Sequence, residues 1–162
     1  MAKYKFNSFG VMIDMSRNAV MSVEGLKRFL PILKKMGYNC AMLYTEDTYE
    51  VKDEPYFGYM RGRYSIAEMK EHIRRAHIFV LSGGFSSGDE PDGSAKFIVN
   101  VLNNKDIREE IHALIDRGGL ILGICNGFQA LVKLGLVPYG DIRPMDADCA
   151  TLTFNTIGRH QS

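Results

Sequence analysis

The sequence predicts an α/β protein built on a single flavodoxin-like, doubly wound open parallel sheet. Short apolar runs alternate with stretches of helical periodicity, which is typical of βαβ units and a parallel sheet. The first run is nearly all apolar, as expected for a strand buried on both faces. The chain has 162 residues, whereas a closed eight-stranded barrel normally needs about 250. We therefore expect strand order 2-1-3-4-5, with the place of the fifth strand left open.

The first two strands are expected at about Gly10 to Met15 and Asn39 to Tyr44. Between them, Ser22 can cap a helix that runs to Met36, because its side chain can accept a free backbone N–H. Pro31 removes one hydrogen bond inside this helix and should kink it. The predicted inner face of the helix carries Leu26, Phe29, Leu30 and Leu33.

The third strand, Ile78 to Leu81, follows an unusually long connection. The polar and aromatic loop from Thr45 to Tyr64 is longer than an ordinary βα connection. Ser65 and Glu68 then form a capping-box pair that begins a second helix, which ends near Ala76. We expect the third strand to pair directly with the first.

The rest of the chain continues the alternation. Two helical patterns, Phe97 to Leu102 and Ile107 to Arg117, precede a fourth strand from Leu120 to Ile124. A helix follows it, and Thr151 to Phe154 alternates like a fifth strand at an edge. These segments complete the elements expected of one sheet.

Composition indicates a single soluble domain, residues 1–162. Hydrophobic residues make up 46 % of the chain, enough for a core, and the net charge of +1 gives no sign of a nucleic-acid or membrane partner. The cysteines at 40, 125 and 149 have neither metal-ligand spacing nor a disulfide pattern, so no metal or cofactor is expected. The start of the chain lacks the apolar stretch of a signal peptide. We therefore expect a cytoplasmic protein, with Cys40 buried in the second strand.

The segment Gly123-Ile124-Cys125-Asn126-Gly127 carries the strongest functional pattern. An apolar strand leads into a cysteine flanked by small residues, and a helix begins directly after it. This is the layout of a nucleophile elbow, in which a tight turn presents a reactive side chain. The N-terminus of the helix should favour the thiolate, the reactive form of the side chain.

The residues around this elbow resemble the glutamine amidotransferase domain of phosphoribosylformylglycinamidine synthase. The likeness runs from about His77 to the C-terminus, through Leu81-Ser82-Gly83-Gly84 and Gly123 to Leu131. It implies that Cys125 attacks the glutamine carboxamide and that the backbone of Gly84 helps to form the oxyanion hole. It also implies a histidine and a glutamate from a Ser-His-Gly-Glu type segment, which does not occur in the 162 residues.

Residues 9–75 resemble another family, the first βαβα segment of a family 20 β-N-acetylhexosaminidase barrel. The likeness lies in Phe9 to Arg17, Cys40 to Asp47 and Glu54 to Tyr64. It implies that Arg17 holds sugar hydroxyls. Asp14, Glu46 and Asp47 follow the same strand ends, which in one parallel sheet would share a crevice with Cys125. Solvated charges, or an ion pair with Arg17 or Arg63, are the alternative for these carboxylates.

These two resemblances lead to three competing hypotheses. The first hypothesis is an engineered or recombined fold chimera of residues 1–76 and 77–162, with no catalytic turnover because both sites are incomplete. The second is a class I glutamine amidotransferase domain that acts through Cys125 and passes ammonia to a partner subunit. The third is a binder of a small anion or sugar at the strand ends. An exposed edge strand would allow a homodimer.

Overall fold

The computed structural model describes residues 6–16, 20–84, 95–152 and 156–158. Strands and helices alternate along the chain, so the α/β class predicted from the sequence is confirmed. The elements are β1 (Gly10–Asp14), α1 (Val23–Lys35), β2 (Cys40–Tyr44), α2 (Ile66–Arg75), β3 (Ile78–Leu81), α3 (Lys96–Asn103), α4 (Lys105–Asp116), β4 (Leu120–Gly123), α5 (Asn126–Leu134) and α6 (Leu136–Tyr139).

The strands of the described residues form two parallel two-stranded sheets, β1–β2 and β3–β4. The pairs β2–β1 and β3–β4 of the predicted order 2-1-3-4-5 are confirmed, whereas the described strands do not form the predicted single sheet with β3 beside β1. Of the expected fifth strand, Thr151 and Leu152 are not in a strand, and 153–155 lie outside the described residues. Apolar periodicity identifies a strand but does not specify which distant strand pairs with it, because pairing depends on long-range packing.

The chain divides into two compact units, Met1–His72 and Ile73–Ser162. The first contains β1, α1 and β2, and the second contains β3, β4 and helices α3 to α6; the division falls inside α2. No helix within the described ranges is long and apolar enough to cross a membrane.

The first unit has a small core built around Met15, Leu26 and Tyr64. Ser22 caps α1 as predicted, since its hydroxyl oxygen accepts the N–H of Gly25 at 3.1 Å. The capping box of α2 is also confirmed: the Glu68 carboxylate accepts the N–H of Ser65 at 2.9 Å. Local sequence signals therefore predict the ends of these helices well.

The long loop between β2 and α2 is held by its own polar contacts. A backbone bridge joins Tyr49 to Tyr64, and the buried Tyr64 hydroxyl donates to the Met21 carbonyl. Arg63 donates to the carbonyls of Pro55 and Phe57. These bonds supply the backbone partners that an irregular segment would otherwise lack.

The second unit is packed around α4 and α5. Ile107, Ile111 and Leu114 lie at helical spacing on one face of α4, and all three are fully buried. Helix α5 packs against β3 and β4, and α4 packs against β4. This arrangement fixes the helix that begins beside Cys125 onto the end of the sheet.

Each sheet leaves an apolar face exposed, which corrects the prediction that the first strand is buried on both faces. In the second unit the exposed face carries the register pairs Ile78–Leu120 and Val80–Leu122. In the first unit Met12 pairs with Met42, and both are more than half exposed. Cys40 is exposed too, so its predicted burial is wrong. A continuous apolar run allows a strand to be buried on both faces. Burial of the second face also needs other elements packed against it, which the run itself does not predict.

His72 should make the stability of the first unit depend on pH. Its ring lies edge-on to Tyr64 at 4.5 Å, and burial holds its pKa below the usual 6.5, against the opposing effect of Glu68 and Glu71. The unfolded chain therefore takes up this proton at a higher pH than the folded chain, and stability falls as the pH drops below about 6.5. In urea unfolding followed by circular dichroism, we expect His72→Gln to lose less stability than the native chain between neutral pH and about pH 5. The control is His77→Gln, at an exposed histidine; equal pH slopes for the native chain and His72→Gln would contradict this role.

Candidate active site

Cys125 lies at the turn between β4 and α5, as the elbow pattern predicts. Its backbone has φ 51° and ψ −111°, a conformation that side-chain-bearing residues rarely adopt. The N–H of Ile124 donates to the Leu81 carbonyl at 3.0 Å, and the N–H of Gln129 donates to the Cys125 carbonyl at 3.1 Å. The strained residue is therefore held on both sides by the sheet and by the first turn of the helix. Its side chain is exposed.

The two glycines around Cys125 are required by close packing. A Cβ at Gly127 would lie 2.0 Å from the Leu81 carbonyl oxygen, and a Cβ at Gly123 would lie 2.8 Å from the Gly127 carbonyl oxygen and from Phe128 Cα. Contacts this short are forbidden, so only glycine lets α5 approach the strand ends at this distance. The Gly-x-Cys-x-Gly spacing therefore has a direct structural cause: it brings the helix N-terminus against the sheet and turns the cysteine outward.

The Gly83-Gly84 turn after β3 passes beside Cys125. A Cβ at Gly83 would lie 2.9 Å from Cys125 Cβ and 3.1 Å from the Ile124 carbonyl oxygen. Gly84 has φ +138°, in the range that favours glycine. The structure thus brings together the two positions that the sequence predicted for nucleophile and oxyanion backbone, and glycine is needed there for close approach.

Asn126 is a site residue that the sequence analysis did not single out. It is the first residue of α5 and only 5 % exposed. Its Nδ2 donates to the Gly84 carbonyl oxygen at 3.1 Å. Its burial and its contact with Gly84, 42 residues away along the chain, are visible only in the structure.

The carboxylates predicted for a sugar site lie in the first unit. Asp14 accepts from the backbone N–H and the hydroxyl of Ser16, at 2.8 and 2.6 Å. Glu46 accepts from the Tyr44 hydroxyl at 2.8 Å. Asp47 forms an ion pair with Arg61 at 3.3 Å, and not with Arg63 as the alternative expected. Arg17 lies outside the described residues.

The same neighbourhood contains a tyrosine whose pKa is strongly raised. Burial, and secondarily the charge of Asp47, raise the pKa of Tyr49 to about 12. Its phenol therefore stays protonated at any ordinary pH and acts as a fixed hydroxyl. Within the described ranges no group of three or more histidine, cysteine, aspartate or glutamate side chains is arranged to hold a metal ion. In the first unit, the described carboxylates therefore make polar contacts within their own loops.

Comparison with known proteins identifies the class. The chain belongs to the family of CobB/CobQ-like glutamine amidotransferase domains, whose family model matches residues 31–162. Among curated relatives, the phosphoribosylformylglycinamidine synthase subunit PurQ of Picrophilus torridus is 36 % identical over 133 residues, which cover 80 % of this chain and 45 % of the relative.

The same subunit from Dehalococcoides mccartyi is 43 % identical over 84 residues, 52 % of this chain and 31 % of the relative. The PurQ subunit of Archaeoglobus fulgidus is 48 % identical over 59 residues, 36 % of this chain and 21 % of the relative. The chain therefore spans less than half the length of these curated relatives.

These matches overturn the interpretation as a chimera without catalytic turnover. The family match runs without interruption across the supposed junction at residues 76–77. The hexosaminidase resemblance of residues 9–75 finds no support, because from residue 31 onward the same segment matches the amidotransferase family. The accompanying expectation that the protein is not an enzyme is also wrong, since its relatives are subunits of a synthase. The glutamine amidotransferase alternative is the one that the comparisons favour.

Proposed function

We propose that the second unit of this chain carries the nucleophile and the oxyanion site of a glutamine amidotransferase. The observation that carries the proposal is the placement of exposed Cys125 on a strained elbow against the Gly83-Gly84 turn. The family match favours glutamine as the nitrogen donor, and the PurQ relatives favour a synthase as the larger assembly. The predicted homodimer and cytoplasmic location stay predictions.

The geometry accounts for the first chemical step. The Cys125 thiolate attacks the carboxamide carbon of glutamine, a C–S bond forms, and the electron pair of the C=O bond moves to oxygen. We assign stabilisation of that oxyanion to backbone N–H groups at the Gly84 turn and at the start of α5, because donors preorganised for developing charge lower the barrier. Collapse of this intermediate expels ammonia once its nitrogen has gained a proton, and water then hydrolyses the thioester to glutamate.

The proposal divides the chemistry between residues. The nucleophile and the oxyanion turn belong to the described part of the second unit. The family resemblance assigns proton transfer to a histidine and a glutamate of a Ser-His-Gly-Glu type segment, which does not occur in the 162 residues. Capture of Cys125 by an electrophile tests the first part alone, because displacement of a halide needs no proton at a leaving group.

A chloroketone analogue of glutamine provides this test. The thiolate forms a C–S bond with the carbon that bears chlorine, and chloride leaves. We expect the analogue to prefer Cys125 over Cys40 by at least about tenfold more than iodoacetamide does, which corresponds to roughly 1.4 kcal/mol of specific recognition. Peptide mapping by mass spectrometry measures both rates, and Cys40, exposed on β2, is the internal control.

Two further measurements complete the experiment. Excess glutamine should slow modification of Cys125 and leave Cys40 unaffected, and Cys125→Ala should remove the fast reaction. The same preference between the two cysteines for both reagents, unchanged by glutamine, would refute the proposal. Ammonia release from glutamine by the native chain, compared with Cys125→Ala, then measures turnover directly.

A further inference from the structure

The side chain of Asn126 connects the helix that begins at the nucleophile to the turn that faces it. Its amide donates to the Gly84 carbonyl at 3.1 Å. The carbonyl oxygen can only accept, so the bond requires the NH₂ end of the amide at this position. The residue is 5 % exposed, and a buried polar side chain costs free energy unless it is hydrogen-bonded. The direction of this hydrogen bond is therefore fixed, and breaking it would cost free energy.

Gly84 has the conformational freedom of an exposed glycine. Among the described residues, a Cβ built on Gly84 would meet no heavy atom within 4 Å, whereas one on Gly83 would lie 2.9 Å from Cys125 Cβ. Gly84 has φ +138° and no side chain that restricts rotation of its backbone. The bond from Asn126 restrains the carbonyl oxygen of Gly84.

We infer that Asn126 is a positioning residue that holds the Gly84 turn in the orientation needed opposite Cys125. The chemical part of this inference rests on the proposed function, because the turn matters for catalysis only if it faces a developing oxyanion. Asn126 acts through the Gly84 peptide. A donor that is preorganised lowers the barrier more than one that must reorient during the reaction.

The position of Asn126 on the elbow makes it the residue suited to hold the Gly84 carbonyl. Its neighbours on the elbow, Cys125 and Gly127, are committed to the nucleophile and to close packing on Leu81. As the first residue of α5 it lies at the helix end, where a short polar side chain can reach the preceding turn. A side chain without an N–H or O–H donor at this position cannot form the bond to a carbonyl.

Two substitutions test the inference. Asn126→Asp keeps the shape but places a carboxylate oxygen against the Gly84 carbonyl, and Asn126→Leu removes the polar group without adding charge. The matched control is Asn104→Asp: Asn104 caps α4 by accepting the N–H of Asp106 at 3.0 Å, which an aspartate also does. Circular dichroism confirms that each variant is folded.

The first measurement does not depend on the proposed function. In ¹H–¹⁵N spectra, both Asn126 variants should shift or broaden the Gly83 and Gly84 amide signals more than those of Gly118 and Gly140, which occupy open positions elsewhere in the second unit. Asn104→Asp should leave Gly83 and Gly84 unchanged. Unchanged Gly84 signals in both Asn126 variants would overturn the inference.

The second measurement tests the consequence for chemistry. We expect both Asn126 variants to react about tenfold more slowly with the glutamine chloroketone, the effect of losing one orienting hydrogen bond. The iodoacetamide rate, compared across a pH series to separate any change in thiol ionisation, should change by less than about twofold. An equal loss with both reagents would show a general effect on the thiol and overturn the positioning role. Failure of the proposed function appears instead in the native chain, as the absence of preferential capture of Cys125.

Discussion

We expect Gly127→Ala to destabilise the second unit by about 3 kcal/mol, although alanine is the better helix former. The new Cβ would lie 2.0 Å from the Leu81 carbonyl oxygen and 2.6 Å from the Leu81 carbonyl carbon. These are backbone atoms that cannot rotate away, so α5 must move off the end of β3. The loss should outweigh the roughly 1 kcal/mol that replacing a helical glycine gains.

The movement of α5 should also reach the site. Because Cys125 and Asn126 begin this helix, Gly127→Ala should slow capture of Cys125 by the glutamine chloroketone together with the fall in stability. Urea unfolding followed by circular dichroism measures the first effect and peptide mapping the second. Gly140→Ala is the control, since its Cβ would meet nothing within 4 Å and only the positive φ of 71° would cost free energy, about 1–2 kcal/mol. A Gly127→Ala protein as stable as Gly140→Ala would show that the helix does not approach the strand this closely.

Leu114→Ala should destabilise the second unit by about 2–5 kcal/mol. Leu114 lies on α4 and is 0 % exposed. Its Cδ1 packs against Gly119, where an added Cβ would lie only 2.1 Å away. Removing the isobutyl group loses buried apolar surface and leaves a cavity that the helix and β4 cannot fill without moving. Urea unfolding of the native chain and the variant measures the difference.

The same substitution six residues later is the matched control. Leu120 is 63 % exposed on β4, so Leu120→Ala should cost less than about 1 kcal/mol. A cost at Leu120 equal to that at Leu114 would mean that the exposed face of β3–β4 is covered in solution. The pair of variants thus measures the burial of this face directly.

Local structure in this chain follows closely from local sequence. Ser22 and the Ser65–Glu68 pair begin α1 and α2 because their side chains satisfy backbone groups only a few residues away. Strand β3 has the bounds predicted from its apolar run. The short α6 was not predicted, because its four residues are too few to show helical periodicity.

The joining of the strands into one sheet could not be predicted in the same way. The predicted order contained the β1–β2 and β3–β4 pairs that the structure has. It also joined them through a β1–β3 pair, whereas the described strands form two separate sheets, because contacts between distant segments depend on long-range packing. Similarly, nothing in the order of residues showed that Asp47 would pair with Arg61 and not Arg63.

The candidate site was predicted in its chemistry but not in its supporting contacts. The Gly-x-Cys-x-Gly spacing indicated Cys125, and the family resemblance indicated Gly84. Asn126 was missed because its role depends on a contact 42 residues away along the chain. The interpretation as a chimera gave too much weight to short matching segments. One continuous match over residues 31–162 is stronger evidence of common ancestry than several local likenesses.

The exposed apolar face of β3–β4 has a practical consequence for studying this protein. Environment-sensitive dyes fluoresce when they adsorb to contiguous apolar surface, and Ile78, Val80, Leu120 and Leu122 present such surface on the folded chain. A dye-based melting assay would therefore begin from a bright folded state, and its signal would not report unfolding alone. Backbone ellipticity avoids this confusion, because it responds to the loss of helices and strands whether or not the apolar face is accessible.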